Sequence, residues 1–429
     1  MKKIKMENFT SKLPHHVLEI IVDCYLNLPD LYRFGLVCKP WKSICNPVQF
    51  YNHLPWLIVP NNNNNNVNPN SSMEKQKMVF EDIKDMGFFS LRDKKIYNAE
   101  LPELLNRRIC ASLPGGWLMT VHENSEIQLF NPFSCTKQVI LLPPLTEFPG
   151  VHSTEVKENN DLFYVCTRFG TDKLFCFPSK HVRDVFISKA AISSSKITRG
   201  TILMALQSMD DQLSYYRIGG DQNAWTPVFP DINRPHSLTD VTCYKGKFYG
   251  VDNNGYVVVV HGLEEEEEEK KEISVEKVIN EPSGELSNNH YILESGGDLL
   301  VVVRFIKMDI SPTAKGLHAL YNSPHRTTGF RVLKLEFGTP NNRWVEVESL
   351  GNSSLFLGYN MSFSVSSTKS SGCKANCIYF TDDKPFFKNN IGGYDMGIFH
   401  LEDGSIEKFI YPSDRLIVPP PIWLAPNPS

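Results

Sequence analysis

Residues 108–142 read "RICASLPGGWLMTVHENSEIQLFNPFSCTKQVILL". The stretch divides into four short runs, "RICASLP", "GWLMTVHE", "EIQLFNP" and "KQVILL", each rich in aliphatic residues and set off from the next by Gly, Pro, Asn or Ser. Short apolar runs bounded by turn formers are strands, and four in close succession make one antiparallel meander. "NPFS" after Phe130 supplies turn chemistry between two of them, as does the Gly pair that opens "GGDLL" at 296–300.

The same grouping recurs downstream. "DVFISKA", "TILMALQ", "LSYYRIG" and "AWTPVF" occupy 184–229, followed by "DVTCY/KFYGVD/YVVVVH/ISVEKV", "YILES/DLLVVVRF/FRVLKLEF/RWVEVESL" and "LFLGYNMSFSV/NCIYFTDD/MGIFHLE/SIEKFI". The sets begin near residues 108, 184, 240, 291 and 354. Steps of about 76, 56, 51 and 63 residues match the roughly 40–50 residue period of propeller blades lengthened by loops. Upstream, "WLIVP", "GFFSLRD" and "KIYNAEL" supply a degenerate sixth set. The expected fold is mainly β: a β-propeller of about six four-stranded blades over residues 78–429, with a strand from 55–60 able to join it. Seven blades stay open, because "DLFYVCTRFGTDKLFCF" at 161–177 holds two strands outside the six sets. A pair of β-sandwiches is the competing architecture, and the near-regular step speaks against it.

The N-terminus has a different period. Leu13, Val17, Leu18, Ile21 and Tyr25 recur at three- and four-residue steps, which predicts a helix over about His15 to Tyr25, capped by Ser11 with Pro14 in its first turn. Asp30 caps a second short helix carrying Leu31, Phe34 and Val37. Pro40 opens a third, in which Trp41 and Ile44 face the same way. Three helices totalling about thirty residues cannot bury enough surface to stand alone, since domains of about 60 residues are already marginal. Something must cover their apolar stripe. The sequence thus divides into a helical segment at 1–50 with its core at 13–45, a linker at 51–77 containing the polar tract "NNNNNNVNPNSSMEKQK", and the β region.

With 41% hydrophobic and 21% charged residues over 429 positions, the composition is that of a globular chain. A net charge of −4 offers no basic field for phosphates, so no nucleic acid partner is expected. "MKKIKMENFTSKL" lacks the apolar core of a secretory signal, and no later run approaches the roughly 18–20 apolar residues that span a bilayer. The expectation is no membrane association and a place in the cytoplasm or nucleus. Ten cysteines in such a compartment would stay reduced, and most read as small buried hydrophobes.

No compact catalytic motif of the common hydrolase, metalloprotease, P-loop or dinucleotide types occurs. His122 and Glu123 are adjacent, which on a strand puts them on opposite faces. "CKANC" at 373–377 has no second pair for zinc, and Cys377 opens an apolar strand, so core packing is expected there. The acidic run "LEEEEEEKK" from Leu263 reads as a solvated hairpin tip. No metal, no organic cofactor and no catalytic residue is expected.

Residues 13–45, "LPHHVLEIIVDCYLNLPDLYRFGLVCKPWKSIC", resemble an F-box. The resemblance is carried by Leu13-Pro14, the apolar pattern Val17, Leu18, Ile21 and Leu31, and the ending Val37, Cys38, Lys39 and Trp41. His15 and His16 stand where an acidic pair is common, and Pro40 replaces a polar residue. "GWLMTVHENSEIQLFNPFS", "YKGKFYGVDNNG", "YILESGGDLLVVVR", "SLFLGYNMSFSV", "GCKANCIYFTDD" and "MGIFHLEDGSI" resemble the plant KIB-type β-propeller found downstream of many F-boxes, over about residues 85–410. The resemblance implies a non-catalytic specificity subunit of an SCF-type ubiquitin ligase. Leu13, Pro14, Val17, Leu18, Ile21, Leu31, Phe34, Val37, Cys38 and Trp41 would face a Skp-family adaptor and, through it, a cullin. The propeller would hold an unidentified protein substrate. A propeller hydrolase or carbohydrate-binding protein with an unrelated helical N-terminus is the alternative, and it expects acidic and histidine residues converging on one mouth of the ring.

Overall fold

The structure, a computed structural model, describes residues 13–25, 34, 37–44, 55–60 and most of 86–425. The tracts 61–85 and 264–272, which contain the Asn-rich linker and the acidic run, lie outside the described residues, as do 309–324, 384–394, 409–420 and several shorter stretches. Among the described residues two helices, α1 (His15–Tyr25) and α2 (Lys39–Ile44), precede the sheets, and most of the expected second helix after Asp30 lies outside them.

Six sheets form the ring. The first contains β1 (Trp56–Pro60), β2 (Met86–Ser90) and β3 (Ile96–Ala99), and the second β4 (Arg107–Leu113), β5 (Trp117–His122), β6 (Ile127–Phe130) and β7 (Val139–Leu142). A small sheet of β8 (Val151–Val156), β9 (Leu162–Arg168) and β10 (Thr171–Pro178) comes next, followed by helix α3 (Ser179–Val185). The third ring sheet is β11 (Ile187–Ile192), β12 (Ile202–Gln207), β13 (Gln212–Arg217) and β14 (Thr226–Pro227). The fourth is β15 (Leu238–Tyr244), β16 (Lys247–Asp252), β17 (Val257–His261) and β18 (Ser274–Ile279). The fifth is β19 (Asn288–Ser295), β20 (Asp298–Met308), β21 (His325–Glu336) and β22 (Arg343–Glu346). The sixth holds β23 (Ser353–Leu357), β24 (Ser362–Ser366), β25 (Cys377–Phe380), β26 (Gly397–His400) and β27 (Ile406–Lys408), and the last strand, β28 (Ile422–Leu424), returns to the first sheet.

Hydrophobic clusters join each ring sheet to the next. Trp56 and Phe88 pack with Leu118 and Phe130, Val121 and Leu129 with Ile187 and Leu203, and Met204 and Leu213 with Val241 and Val258. Val251 and Val259 pack with Ile292 and Val301, Leu300 and Val332 with Leu355 and Ile378, and Phe356 and Tyr379 with Leu57, Phe89 and Trp423. The last cluster meets the first sheet again, so the ring is a closed six-bladed propeller. Each blade is covered on both faces, which is why its middle strands are unbroken apolar runs. On β17, Val257 and Val259 enter one cluster while Val258 and Val260 enter its neighbour.

Closure depends on β28. It pairs antiparallel with β1, Leu57 opposite Trp423, so one blade is built from both ends of the ring. The Trp423 indole donates to the Leu357 carbonyl at 3.0 Å, and Ala425 N donates to the Ser112 hydroxyl at 3.0 Å. Two-residue hairpins set the register elsewhere. Lys245-Gly246 and Gly296-Gly297 all have positive φ, as a turn matched to the strand twist requires.

Three features differ from the expectation. The unplaced strands at 161–177 form the small sheet, not a seventh blade: β4 and β11 are direct neighbours. Tyr164 and Cys166 of β9, with Val182 and Phe186, fill the gap between the second and third blades while β8 stays mostly exposed. "DVFISKA" is not one strand, because α3 runs to Val185 before β11 begins. "LFLGYNMSFSV" is a hairpin closed by Gly358 N donating to Met361 O at 3.1 Å. Its first strand, β23, pairs parallel with β25, giving five strands where a four-stranded antiparallel meander was expected.

Candidate functional site

The helical segment builds an exposed apolar surface over a small core. The Pro14 carbonyl accepts from Val17 N at 3.0 Å and Leu18 N at 3.3 Å, starting α1. His15 and Glu19, one turn apart, are 3.1 Å from each other. Leu18, Phe34 and Ile44 are buried, and Phe34 stacks on Trp41 with ring centroids 4.1 Å apart. Leu18 and Phe34, expected on the adaptor-facing surface, are instead buried in the segment. Leu13, Pro14 and Val37 are exposed, and Val17, Ile21, Cys38 and Trp41 are half-buried. Leu31 lies outside the described residues. Sequence reasoning missed Ile20, which at 53% exposure is more open than Leu13 at 42% or Val37 at 50%. Its signal was an apolar residue outside the core stripe, where a solvated helix would carry a polar one.

A second cluster lies where the innermost strands converge. Lys189 of β11 pairs with Asp240 of β15 at 2.9 Å, both buried. Ser362 of β24 donates to the same carboxylate at 2.6 Å, and the amides of Val241 and Ile292 donate to it at 2.8 and 3.2 Å. Four consecutive blades, the third to the sixth, are tied together by this one carboxylate. Next to it Arg304 of β20 is fully buried. Its guanidinium donates to Thr327 Oγ1 at 2.8 Å, Thr381 O at 2.8 Å and Asp395 Oδ2 at 3.0 Å, and pairs with Asp383 Oδ2 at 3.0 Å. Burial pulls its pKa down, opposed by Asp395 and Asp382. The Tyr291 hydroxyl accepts from Arg304 at 3.1 Å and donates to Asp383. His325 Nε2 lies 3.0 Å from Asp382 Oδ1.

None of these axial residues was singled out from the sequence. Their signal is a charge inside or at the end of an apolar strand: Arg304 in "DLLVVVRF", Asp240 before "VTCY", Asp382 and Asp383 after "CIYFT". Such a charge in a doubly covered strand must be paired.

The remaining sequence candidates are structural. The Cys377 thiol, buried on β25, donates to Ala375 O at 3.2 Å, and burial raises its pKa. Cys373 packs against the cluster of Phe356 and Trp423. His122 Nδ1 accepts from Asn124 N at 3.1 Å, and Glu123 lies 3.9 Å from Arg183. Among the described residues no group of His, Cys, Asp and Glu has the arrangement of a metal site, and no helix is long and apolar enough to cross a membrane.

Two family models match the chain. One, described as the KIB1-4 beta-propeller, covers residues 88–400, and the other, described as F-box-like, covers residues 10–54. Similar proteins from Arabidopsis thaliana include F-box protein SKIP23, 24% identical and covering 96% of this chain and 95% of that protein. Putative F-box protein At5g66830 is 23% identical over 93% of this chain and 88% of its own length. Probable F-box protein At1g65740 is 28% identical, with 92% and 93% covered.

Proposed function

Because the chain belongs to the KIB1-4 β-propeller family and carries an F-box-like segment ahead of the ring, we propose that it is the substrate-recognition subunit of an SCF-type ubiquitin ligase. The helical segment binds a Skp-family adaptor and through it a cullin, while the propeller holds a protein substrate. The chain does no bond chemistry itself. It raises the effective concentration of substrate at the ubiquitin-carrying end of the assembly. It acts in the cytoplasm or nucleus as a module pair, with the helical segment and the ring serving separate partners.

The observation that carries this reading is that Leu13, Ile20 and Val37, large apolar side chains, stand exposed on a short helical segment whose buried apolar residues, among those described, are Leu18, Phe34 and Ile44. Apolar side chains kept in water on so small a unit are unfavourable unless a partner covers them, each contributing about 1.5–3 kcal/mol when fully buried.

The test is the double variant Leu13→Ala/Pro14→Ala, examined for adaptor capture and for thermal unfolding. Adaptor capture is expected to fall steeply with the melting temperature unchanged, and a bound substrate to accumulate. Unchanged capture with a lowered melting temperature would mean that the helices serve the propeller's own stability and that the ligase reading is wrong.

The convergence of Asp240, Asp383, Asp395, His290 and His325 near the axis is what the hydrolase or carbohydrate-binding alternative expects. Asp240, Asp395 and Asp382, however, are engaged by Lys189, Arg304 and His325, which favours a binding centre. Turnover of chromogenic glycosides or esters that is lost in Asp383→Asn would reverse that preference.

A further inference from the structure

A cavity of about 230 Å³ opens between β11, β15, β19 and the β23–β24 turn, with Lys189, Thr239, Asn289, His290, Tyr359 and Asp383 in its walls. Thr239, Asn289 and Tyr359 are half-buried and form its mouth. Lys189 and His290 are each 5% exposed, and the Asp383 side chain 7%. The volume is below the roughly 300–1,000 Å³ of pockets that enclose a small-molecule ligand. It suits one long side chain.

Two polar atoms of the wall have no hydrogen-bond partner: Asp383 Oδ1 and His290 Nδ1. Buried polar atoms are nearly always satisfied, so an orphan pair sharing one cavity marks a place for a ligand. The other groups are committed to one another. Asp383 Oδ2 receives Tyr291, Asn289 and Arg304, and Lys189 is held by Asp240. In this bonded cluster Asp240, Asp383 and Asp395 outnumber Lys189 and Arg304, while Asp382 is paired with His325. Arg108 meets the mouth over the face of Tyr359, 5.1 Å from the ring centroid. A carboxylate oxygen and an uncharged imidazole nitrogen both accept, so a ligand that brings N–H donors satisfies the two orphan atoms, and an anion would not.

We propose that this cavity is a binding pocket for an organic cation with N–H donors, the lysine ammonium or arginine guanidinium of a protein segment, received by Asp383 Oδ1 and His290 Nδ1. This rests on the substrate-recognition reading and adds to it the chemical feature that the propeller selects. Two further properties agree. Burial holds the His290 pKa down at about 4, so at neutral pH the imidazole is uncharged and keeps one acceptor nitrogen. Burial, followed by the neighbouring Asp395 and Asp240, raises Asp383 to about 7, with Lys189 and Asn289 opposing. An arriving cation therefore ionises Asp383 and releases a proton.

The experiment is calorimetric titration of the full chain with blocked Gly-Gly-Lys-Gly-Gly, the same peptide with norleucine for lysine, and spermidine as the free-amine probe, at about pH 6 and about pH 8. The lysine peptide is expected to bind at least about tenfold tighter than the norleucine peptide. That preference should shrink at the lower pH and vanish in D383N. Tighter binding of spermidine than of the lysine peptide would overturn the protein origin of the cation. Equal or absent binding of all three probes overturns the pocket, and this comparison stands on the wild-type chain even if D383N does not fold. Adaptor capture on the same preparation separates the two readings: capture without cation preference leaves the ligase assignment intact and removes the pocket.

Discussion

Asp383 and His290 share a cavity and pull the pH dependence of stability in opposite directions. Asp383 rises from 3.8 to about 7. The folded chain therefore keeps a proton that the unfolded chain gives up, and stability falls as pH climbs through that window. His290 drops from 6.5 to about 4, so the unfolded chain takes a proton that the folded chain refuses. Its contribution is complete above about pH 6.5 and is lost as pH falls toward 4. Between about pH 4 and 6.5 the two slopes oppose. Asp383→Asn removes the falling one, so urea denaturation of that variant should show stability rising more steeply with pH than in the wild type. The difference by about pH 7 is on the order of a few kcal/mol. His290→Gln should tilt the curve the other way. Parallel curves for wild type and D383N would mean that Asp383 is ionised throughout. Neither residue was singled out beforehand, because "NNHY" looks like an ordinary strand edge and the charges of "FTDD" signal a need for partners without naming them until the ring brings them together.

Among the elements, β28 shows most clearly how a short segment can control a large one. Trp423 is 1% exposed, its indole bonds the Leu357 carbonyl, and its ring meets Phe356 edge-on with centroids 5.0 Å apart. Trp423→Ala should cost about 3–5 kcal/mol through the cavity left at the seam between first and last blades. A chemical-denaturation midpoint close to wild type would refute that role. Three residues after a run of prolines carry no period, so β28 could not be read from the sequence, whereas "YVVVVH" and "DLLVVVRF" could. The helices divide similarly. Their three- and four-residue spacing was plain, but which apolar residues point inward was not. Leu18 and Phe34 went to the core, and Leu13, Ile20 and Val37 to the surface.

At the scale of the whole molecule, six interblade clusters form an unbroken circuit, while Leu18, Phe34 and Ile44 belong to none of them. The ring should therefore unfold as one unit, independent of the helices. A chain starting at residue 51 is expected to keep its melting temperature within about 2 °C, which for a unit of this length corresponds to no more than about 1–2 kcal/mol. A chain ending at residue 420 should melt well below the wild type, since it lacks the strand that closes the first blade. If the first truncation melts early as well, the helices are part of the ring's core.

The sequence by itself determined the local layers: two periodicities, five four-strand sets and a degenerate sixth with a seventh blade left open, turns at Gly and Asn, and an N-terminal segment too small to bury its own apolar face. These are properties of neighbours along the chain, where burial on one face or two leaves a direct pattern in residue type. Only the tertiary structure decided how the ends meet, that β8–β10 and α3 fill a gap beside the ring, that β23 pairs parallel with β25, and that Lys189, Asp240, Arg304, Asp383 and Asp395 share one centre. Those outcomes depend on contacts between residues scores to hundreds of positions apart. A charge in a strand announces that it needs a partner, but the partner's identity is set by the closure of the ring.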